Sequence, residues 1–590
     1  MILRAASAFR LTSVGDRAVR RENRQQTGGS MNRRDFLRST IAGSLVAPRA
    51  SAALVPAAIR SGQPPAVRNA RATTARIDVL PDEPIAMVSA NLYGHFVEHL
   101  GGVVYDGVWV GEGSPIANSG GIRQALVDHM RRLPPGPIRW PGGCFADSYD
   151  WRDGIGPRAS RPRRTNFWEG EAALAGPGRY DPNHFGTNEF VRFCRLAGGE
   201  PYLAANLRSL SPRDLYQWME YCNSPAGSTT LADQRAAGGD REPFRVRFWG
   251  VGNEAWGCGG NFTPEEYATE YRRFVAWVPR FGQTPSFIGS GPNAGDIGWT
   301  RRFLAKLTEK GDGQLGSLWG WALHHYSWNV SRGATTDWNA GKGDALRFST
   351  DEWYELLNEG DRMDTLIADH WAAMGEIDRR RRVKLVVDEW GAWHRRGSEV
   401  NPGHVFGQQS TLRDGLLAAM TLDTFHRHAD KVAMANVAQL VNCLHSLFLA
   451  DGDRFVPTPT FHIFELYKPH VGGQSVRTVW SAPPIGYARV NAEGSLRGVA
   501  GSASLHDRTL TLTVVNPHIS QPLTAEIGVR GRSDGNVTAM TIAEADVHAH
   551  NTFERPEAVR PRAVPAEAMR AGVIVHSFAP ASVTRLTVAL

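Results

Sequence analysis

Cysteine is scarce in this chain. The five residues Cys144, Cys194, Cys222, Cys258 and Cys443 are odd in number, far apart and without a C-x-x-C spacing. That pattern indicates neither a disulfide framework nor a zinc site, and thiols left reduced suit folding in the cytoplasm. Long apolar runs are missing too: no stretch of 18 apolar residues occurs, which excludes a membrane-spanning helix. No G-x-G-x-x-G follows the first predicted strand, which counts against a dinucleotide-binding open sheet, the structural alternative to a barrel. Lysine is absent from residues 1–76, which hold 14 Arg and only 3 acids, so this leader carries +11 and the rest of the chain is at −4. A mildly acidic body with no Lys/Arg-rich face interleaved with aromatics excludes a nucleic-acid partner.

What is present divides into four segments. Residues 1–52 read as an N-terminal extension with a twin-arginine export signal: Met31, which suits a start, then Arg33-Arg34, a mildly apolar Thr40 to Ala47, and the A-x-A pattern Ala50-Ser51-Ala52. This predicts a folded protein exported to the periplasm or the medium. Residues 53–74, rich in Ala, Pro and Arg, read as a linker. Residues 75–455 alternate short apolar runs with amphipathic helices. The runs are Leu92 to Val97, Pro137 to Trp140, Pro201 to Ala205, Arg247 to Val251, Ser286 to Ser290, Trp321 to His324, Lys384 to Val387 and Val432 to Ala438. Eight β/α units of this kind predict an α/β fold, a (β/α)8 TIM barrel. The first strand, Ala75 to Val79, is also free to join the following domain. Residues 456–590 lose the helical period and show short alternating runs such as Thr509 to Val515 and Val583 to Val588, the pattern of an antiparallel β-sandwich.

A barrel points the C-terminal ends of all its strands to one face. The residues there form a polar crown: His95 and Glu98, Gly142-Gly143-Cys144, Asn206, Asn253-Glu254, Asn293, His325-Tyr326, Glu389 and Gln439. Cleavage of a glycosidic bond needs one carboxylic acid to protonate the leaving oxygen and one carboxylate to attack or to activate water. Glu254 and Glu389 close the fourth and seventh predicted strands and suit those roles. His95 and His99 flank Glu98 at zinc-pair spacing, but around a strand end rather than on a helix, so no metal and no cofactor are assigned. The Arg158 to Arg164 run reads as a solvated charged loop. Of the 18 Trp residues, those near strand ends suit sugar stacking and most suit core filling.

The segments Tyr93-Gly94-His95-Phe96-Val97-Glu98-His99, Arg139-Trp140-Pro141-Gly142-Gly143-Cys144-Phe145, Trp249-Gly250-Val251-Gly252-Asn253-Glu254-Ala255-Trp256-Gly257-Cys258-Gly259-Gly260, Asp388-Glu389-Trp390-Gly391 and Met434-Ala435-Asn436-Val437-Ala438-Gln439 together resemble those of glycoside hydrolase family 51, the α-L-arabinofuranosidases. The resemblance runs from about residue 75 to the C-terminus. It implies Glu254 as acid/base, Glu389 as nucleophile, and a sugar subsite lined by Glu98, Cys144, Asn253, Tyr326 and Gln439. Asn is common at the position of Cys144, and Ala255 replaces an Asn often found after the acid/base. The implied activity is a retaining exo-α-L-arabinofuranosidase that releases terminal arabinofuranosyl residues from arabinan, arabinoxylan or their oligosaccharides, in a family that commonly forms homo-oligomers. Two alternatives stay open: the same mechanism on a β-xyloside, a galactofuranoside or a glucan, and a catalytically silent carbohydrate-binding protein.

Overall fold

The computed structural model describes residues 73–168, 180–330 and 342–590. The leader with Arg33-Arg34 lies outside the described residues. All eight apolar runs become strands: β2 (Gly94–Phe96), β3 (Pro137–Trp140), β4 (Glu200–Ala205), β5 (Phe248–Val251), β6 (Ser286–Gly289), β7 (Gly320–Ser327), β8 (Lys384–Ala392) and β9 (Val432–Ala438). They close in chain order into a barrel, with β9 beside β2 and every recorded pairing parallel. Continuous apolar runs suit this arrangement because each strand is covered on both faces. Inside, Tyr202, Phe248, Ile288, Ala322, Val386 and Met434 fill the barrel below its mouth, so the barrel is a packed core with no pore through it.

Helix signals held as well. Thr263 accepts from Glu266 N, and Glu266 Oε2 returns to Thr263 N at 2.8 Å. This reciprocal cap, with Pro264 at the first helical position, opens α1 (Pro264–Val275). A second capping box, Thr411 with Asp414, opens α2 (Leu412–Arg427), which lies under the C-terminal domain.

That domain is built from β10 (Gln474–Ser481), β11 (Ala500–His506), β12 (Thr509–Asn516), β13 (Leu523–Val529), β14 (Asn536–Ile542), β15 (Arg562–Val564), β16 (Val573–Phe578) and β17 (Ser582–Ala589). The N-terminal strand β1 (Thr73–Met87) completes it, antiparallel to β10 and parallel to β13. The order is β15-β14-β17-β12-β11-β10-β1-β13-β16, wrapped around one apolar core. From residue 73 the described chain thus runs first through the β-sandwich, then through the barrel, and back into the sandwich.

Candidate active site

The strand ends gather the carboxylates. Glu389 sits near the end of β8, where Arg139 from β3 donates to its Oε1 at 2.7 Å and the Tyr326 hydroxyl from β7 donates to its Oε2 at 2.7 Å. Arg139 also donates to Asn253 Oδ1 at 2.6 Å and packs over the Phe96 ring at 4.6 Å. Its Nε lies 3.4 Å from Asp388, which accepts from Tyr202 and Asn436. A guanidinium buried to 1% exposure is tolerable only because two carboxylates and an amide surround it.

Glu254 follows β5 in a tight turn, at φ +39°. The turn is pinned by Gly257 N donating to Glu254 O at 2.7 Å and by Asn253 N donating to the buried Asp147 at 3.0 Å. His324 Nδ1 lies 3.1 Å from Glu254 Oε1 and 3.6 Å from Glu389 Oε2. An oxygen of each glutamate and a nitrogen of His324 all lie within 4.8 Å of one another.

The surroundings push the two glutamates apart. Burial raises the pKa of Glu254, and the hydrogen bond from His324 only partly offsets this. Burial would raise Glu389 too, but the positive His324 and Arg139, with the hydrogen bonds from Arg139 and Tyr326, outweigh it and hold Glu389 below the usual value. For His324, burial disfavours the charged form, yet the negative Glu389 and the contact with Glu254 raise its pKa.

On the other side of the mouth, Glu98 and Gln439 hold each other: Glu98 N donates to Gln439 Oε1 at 2.9 Å and Gln439 Nε2 donates to Glu98 Oε2 at 3.0 Å. The Trp168 indole and Phe145 N also donate to Glu98 Oε1. Burial, helped by the charge of Glu389, pushes the Glu98 carboxyl up to about 7. The Gly142-Gly143 pair leaves the space: a Cβ at Gly142 would stand 2.5 Å from Glu98 Cγ, and one at Gly143 would stand 3.1 Å from Glu389 Oε1. The fold therefore brings Glu98, Asn253, Glu254, Tyr326, Glu389 and Gln439 to one concave end.

Two expectations are corrected here, for Cys144 and for the Arg158 to Arg164 run. Cys144 is not a free thiol: it forms a disulfide with Cys258, 114 residues away. No local spacing announced this pair, because the barrel alone brings the loop after β3 against the loop after β5. The thiol-based case for an undivided set of reduced cysteines falls with it. His95 and His99 do not converge. His95 is buried against Phe464, its pKa driven down to about 3 by burial, while His99 Nδ1 pairs with Asp181 at 2.6 Å. The Arg158 to Arg164 run is only partly solvated: Arg161, 4% exposed, lies 3.0 Å from Glu189, and Arg158 bridges Glu112 and Glu189 while stacking on Trp109.

Sequence reasoning passed over Arg139 and His324 as members of the site. Both left a signal, since each is a charged or titratable residue inside an otherwise apolar strand run, where an unpaired charge is costly. Trp168, reaching Glu98 from a loop, left none.

The profile of the α-L-arabinofuranosidase 1 domain matches residues 129–290, and that of the α-L-arabinofuranosidase C-terminal domain matches residues 388–582. An intracellular exo-α-L-arabinofuranosidase of Bacteroides ovatus is 32% identical over 83% of this chain and 90% of that protein. An intracellular exo-α-(1→5)-L-arabinofuranosidase of Streptomyces lividans is 26% identical over 86% and 74%. The crystal structure of the GH51 arabinofuranosidase from Xanthomonas axonopodis pv. citri superposes with a TM-score of 0.79 at 34% identity, over 88% of this chain and all of that one. These relatives also overturn the reading of export. Both sequence relatives are named intracellular, which counts against export by a twin-arginine signal. In a leader with 14 Arg and no Lys an Arg-Arg pair arises readily from composition alone, and the apolar stretch behind it is short. Among the described residues no helix is long and apolar enough to cross a membrane. With the barrel, the sandwich, the paired carboxylates and these likenesses together, the chain belongs to the α-L-arabinofuranosidases of glycoside hydrolase family 51.

Proposed function

We propose that this glycoside hydrolase is an exo-acting α-L-arabinofuranosidase that works by double displacement with retention of configuration. Glu389 is the nucleophile and Glu254 the acid/base. The observation that carries the reading is the geometry of the pair: oxygens of the two glutamates lie within 4.8 Å of each other, with a single His324 nitrogen against both. A retaining pair is about 5–5.5 Å apart, whereas an inverting pair needs roughly 6.5–9.5 Å to admit water.

The chemistry follows from the environments. Glu254, whose pKa burial raises, gives its proton to the leaving alcohol. Glu389, held ionised by Arg139, His324 and Tyr326, attacks the anomeric carbon and forms an arabinosyl ester. Glu254, now ionised, takes a proton from water, which hydrolyses the ester. Glu98, Asn253, Tyr326 and Gln439 line the subsite for the terminal sugar; the fixed Glu98–Gln439 pair presents oriented donors and acceptors to its hydroxyls. Cys144 lines the same wall as half of a disulfide. The substrates are arabinan, arabinoxylan and their oligosaccharides. The relative from Streptomyces lividans, named for α-(1→5) links, favours arabinan-type chains among these.

The test is hydrolysis of p-nitrophenyl α-L-arabinofuranoside with the first-formed anomer read by proton NMR. The α-anomer of arabinose is expected. First formation of the β-anomer, or turnover of a β-xyloside in its place, would overturn the assignment.

A further inference from the structure

We propose that reduction of the Cys144–Cys258 bond converts it into a site for a soft divalent cation, Zn2+ or Cd2+, held by the two thiolates and Glu254. The binding stands on the geometry alone; the inhibition it causes rests on Glu254 being the acid/base.

The sulfur of Cys144 lies 4.0 Å, and that of Cys258 3.8 Å, from the same oxygen of Glu254. Ligand atoms from all three residues fall within 4.8 Å of one another. A tetrahedral zinc with Zn–S bonds of about 2.3 Å and Zn–O bonds of about 2.0–2.2 Å places its ligands roughly 3.3–3.8 Å apart, so only small shifts are required once the sulfurs are free to separate. Both loops are held by contacts other than the disulfide. On one side Phe145 N donates to Glu98 at 3.0 Å and Ala146 N to Gly143 O at 3.0 Å. On the other, Phe262 N donates to Ala255 O at 2.8 Å and Gly257 N to Glu254 O at 2.7 Å. Opening the bond therefore leaves the two thiols facing each other and the carboxylate. His324, 3.1 Å from the other oxygen of Glu254, holds that carboxylate in place by a hydrogen bond, as the outer partners of metal-ligating carboxylates do.

The step balances. A small dithiol supplies two electrons and two protons, becoming a disulfide; the Cys144–Cys258 bond breaks and two thiols form. The cation then displaces the two thiol protons to solvent. Cys258 is only partly buried, so a reductant can reach the bond from the mouth. The remaining cysteines, Cys194, Cys222 and Cys443, are all buried. With two sulfurs and one oxygen from the protein, the fourth position is left to water, and the carboxylate that must carry a proton is occupied by metal.

The test uses the folded full chain, reduced with dithiothreitol, desalted without oxygen and titrated with Co2+ alone. A thiolate-to-cobalt charge-transfer band saturating at one ion per chain is expected. It should be missing from the oxidised enzyme and from both Cys258→Ser and Cys144→Ser, and Zn2+ should bleach it. Added Zn2+ should then lower turnover of the reduced enzyme by at least about 100-fold, the scale of general-acid help, and a chelator should restore it. The proposal is overturned if thiol titration shows the pair unreduced in the folded enzyme, if reduced enzyme gives no sulfur-to-cobalt band, or if the band survives in either serine variant. The cobalt spectrum needs no substrate, so it decides the site even if the enzyme turns out not to cleave arabinofuranosides.

Discussion

Two of the buried polar clusters among the described residues make a comparison: one at the mouth of the barrel and one where α2 meets the sandwich. At the mouth, three glutamates, Asp388, Arg139 and His324 crowd together; burial raises Glu98 and Glu254, while the charges of His324 and Arg139 hold Glu389 down. In the lower cluster a single carboxylate, Asp423, accepts from three hydroxyls, Thr513 at 2.6 Å and Ser502 at 2.7 Å from the sandwich and Tyr467 at 2.9 Å, and the charge of Arg427 offsets only part of its burial. Tyr93, His426 and His470 extend it, with His426 Nδ1 2.8 Å from the Ser502 hydroxyl. Burial pushes Asp423 up to about 6 and His470 down to about 3, toward their neutral forms. Burial therefore has different outcomes in the two places. Where strong counter-charges face one of the glutamates, the pair is pushed apart in pKa; where hydroxyls dominate, burial shifts Asp423, His426 and His470 toward their neutral forms and leaves a hydrogen-bonded clasp between domains.

The comparison can be broken first at the mouth. Glu389→Ala should remove turnover of every substrate, a loss on the order of 10⁴-fold or more for an essential nucleophile, with azide restoring part of it on a nitrophenyl substrate. Measured kcat near that of the wild type would end the assignment. Glu254→Ala should be selective. Arabino-oligosaccharides, whose leaving alcohol needs a proton, should lose about 10²–10⁴-fold more than the nitrophenyl substrate, on which an arabinosyl-enzyme burst should appear. Equal losses on both would mean that Glu254 does not carry the proton. Asn253→Ala should lower kcat/KM by at least about tenfold, the scale of one charge-assisted hydrogen bond; unchanged kinetics would place it outside the subsite.

A finer probe is pH. Activity should rise as Glu389 ionises and fall as Glu254 loses its proton, giving a bell. His324 lowers the pKa of both by its contacts, so in His324→Asn both limbs of the kcat/KM profile should move to higher pH. Limbs that stay in place, or move down, would contradict its bridging position.

The smallest effect on catalysis is expected from the lower cluster. Asp423 has its folded pKa raised from 3.8 to about 6, so the folded state favours the neutral acid. Its contribution is full below pH 4 and is lost as pH rises toward 6, about 3 kcal/mol in all. Asp423→Asn should remove that dependence. The wild-type minus variant unfolding free energy should fall by about this amount between pH 4 and pH 7, with kcat unchanged. A difference independent of pH would show that Asp423 is ionised in the fold.

The barrel strands could be read from the chain because parallel strands covered on both faces must be apolar throughout and end at turns, and the capping boxes because their partners lie three residues apart. Glu254 and Glu389 were visible for the same reason: each interrupts a strand at its tip. Other features depended on contacts far apart in sequence. Cys144 finds Cys258, and Asp423 finds Ser502 and Thr513, only because the closed barrel and the returning sandwich set their loops and strands together. β1 leaves the barrel's sequence neighbourhood to join the sandwich by pairing with strands some 400 residues on. Local pattern thus determined the elements and the chemistry at their ends. Tertiary structure decided which ends meet, which carboxyl has its pKa raised and which lowered, and which two thiols become a bond.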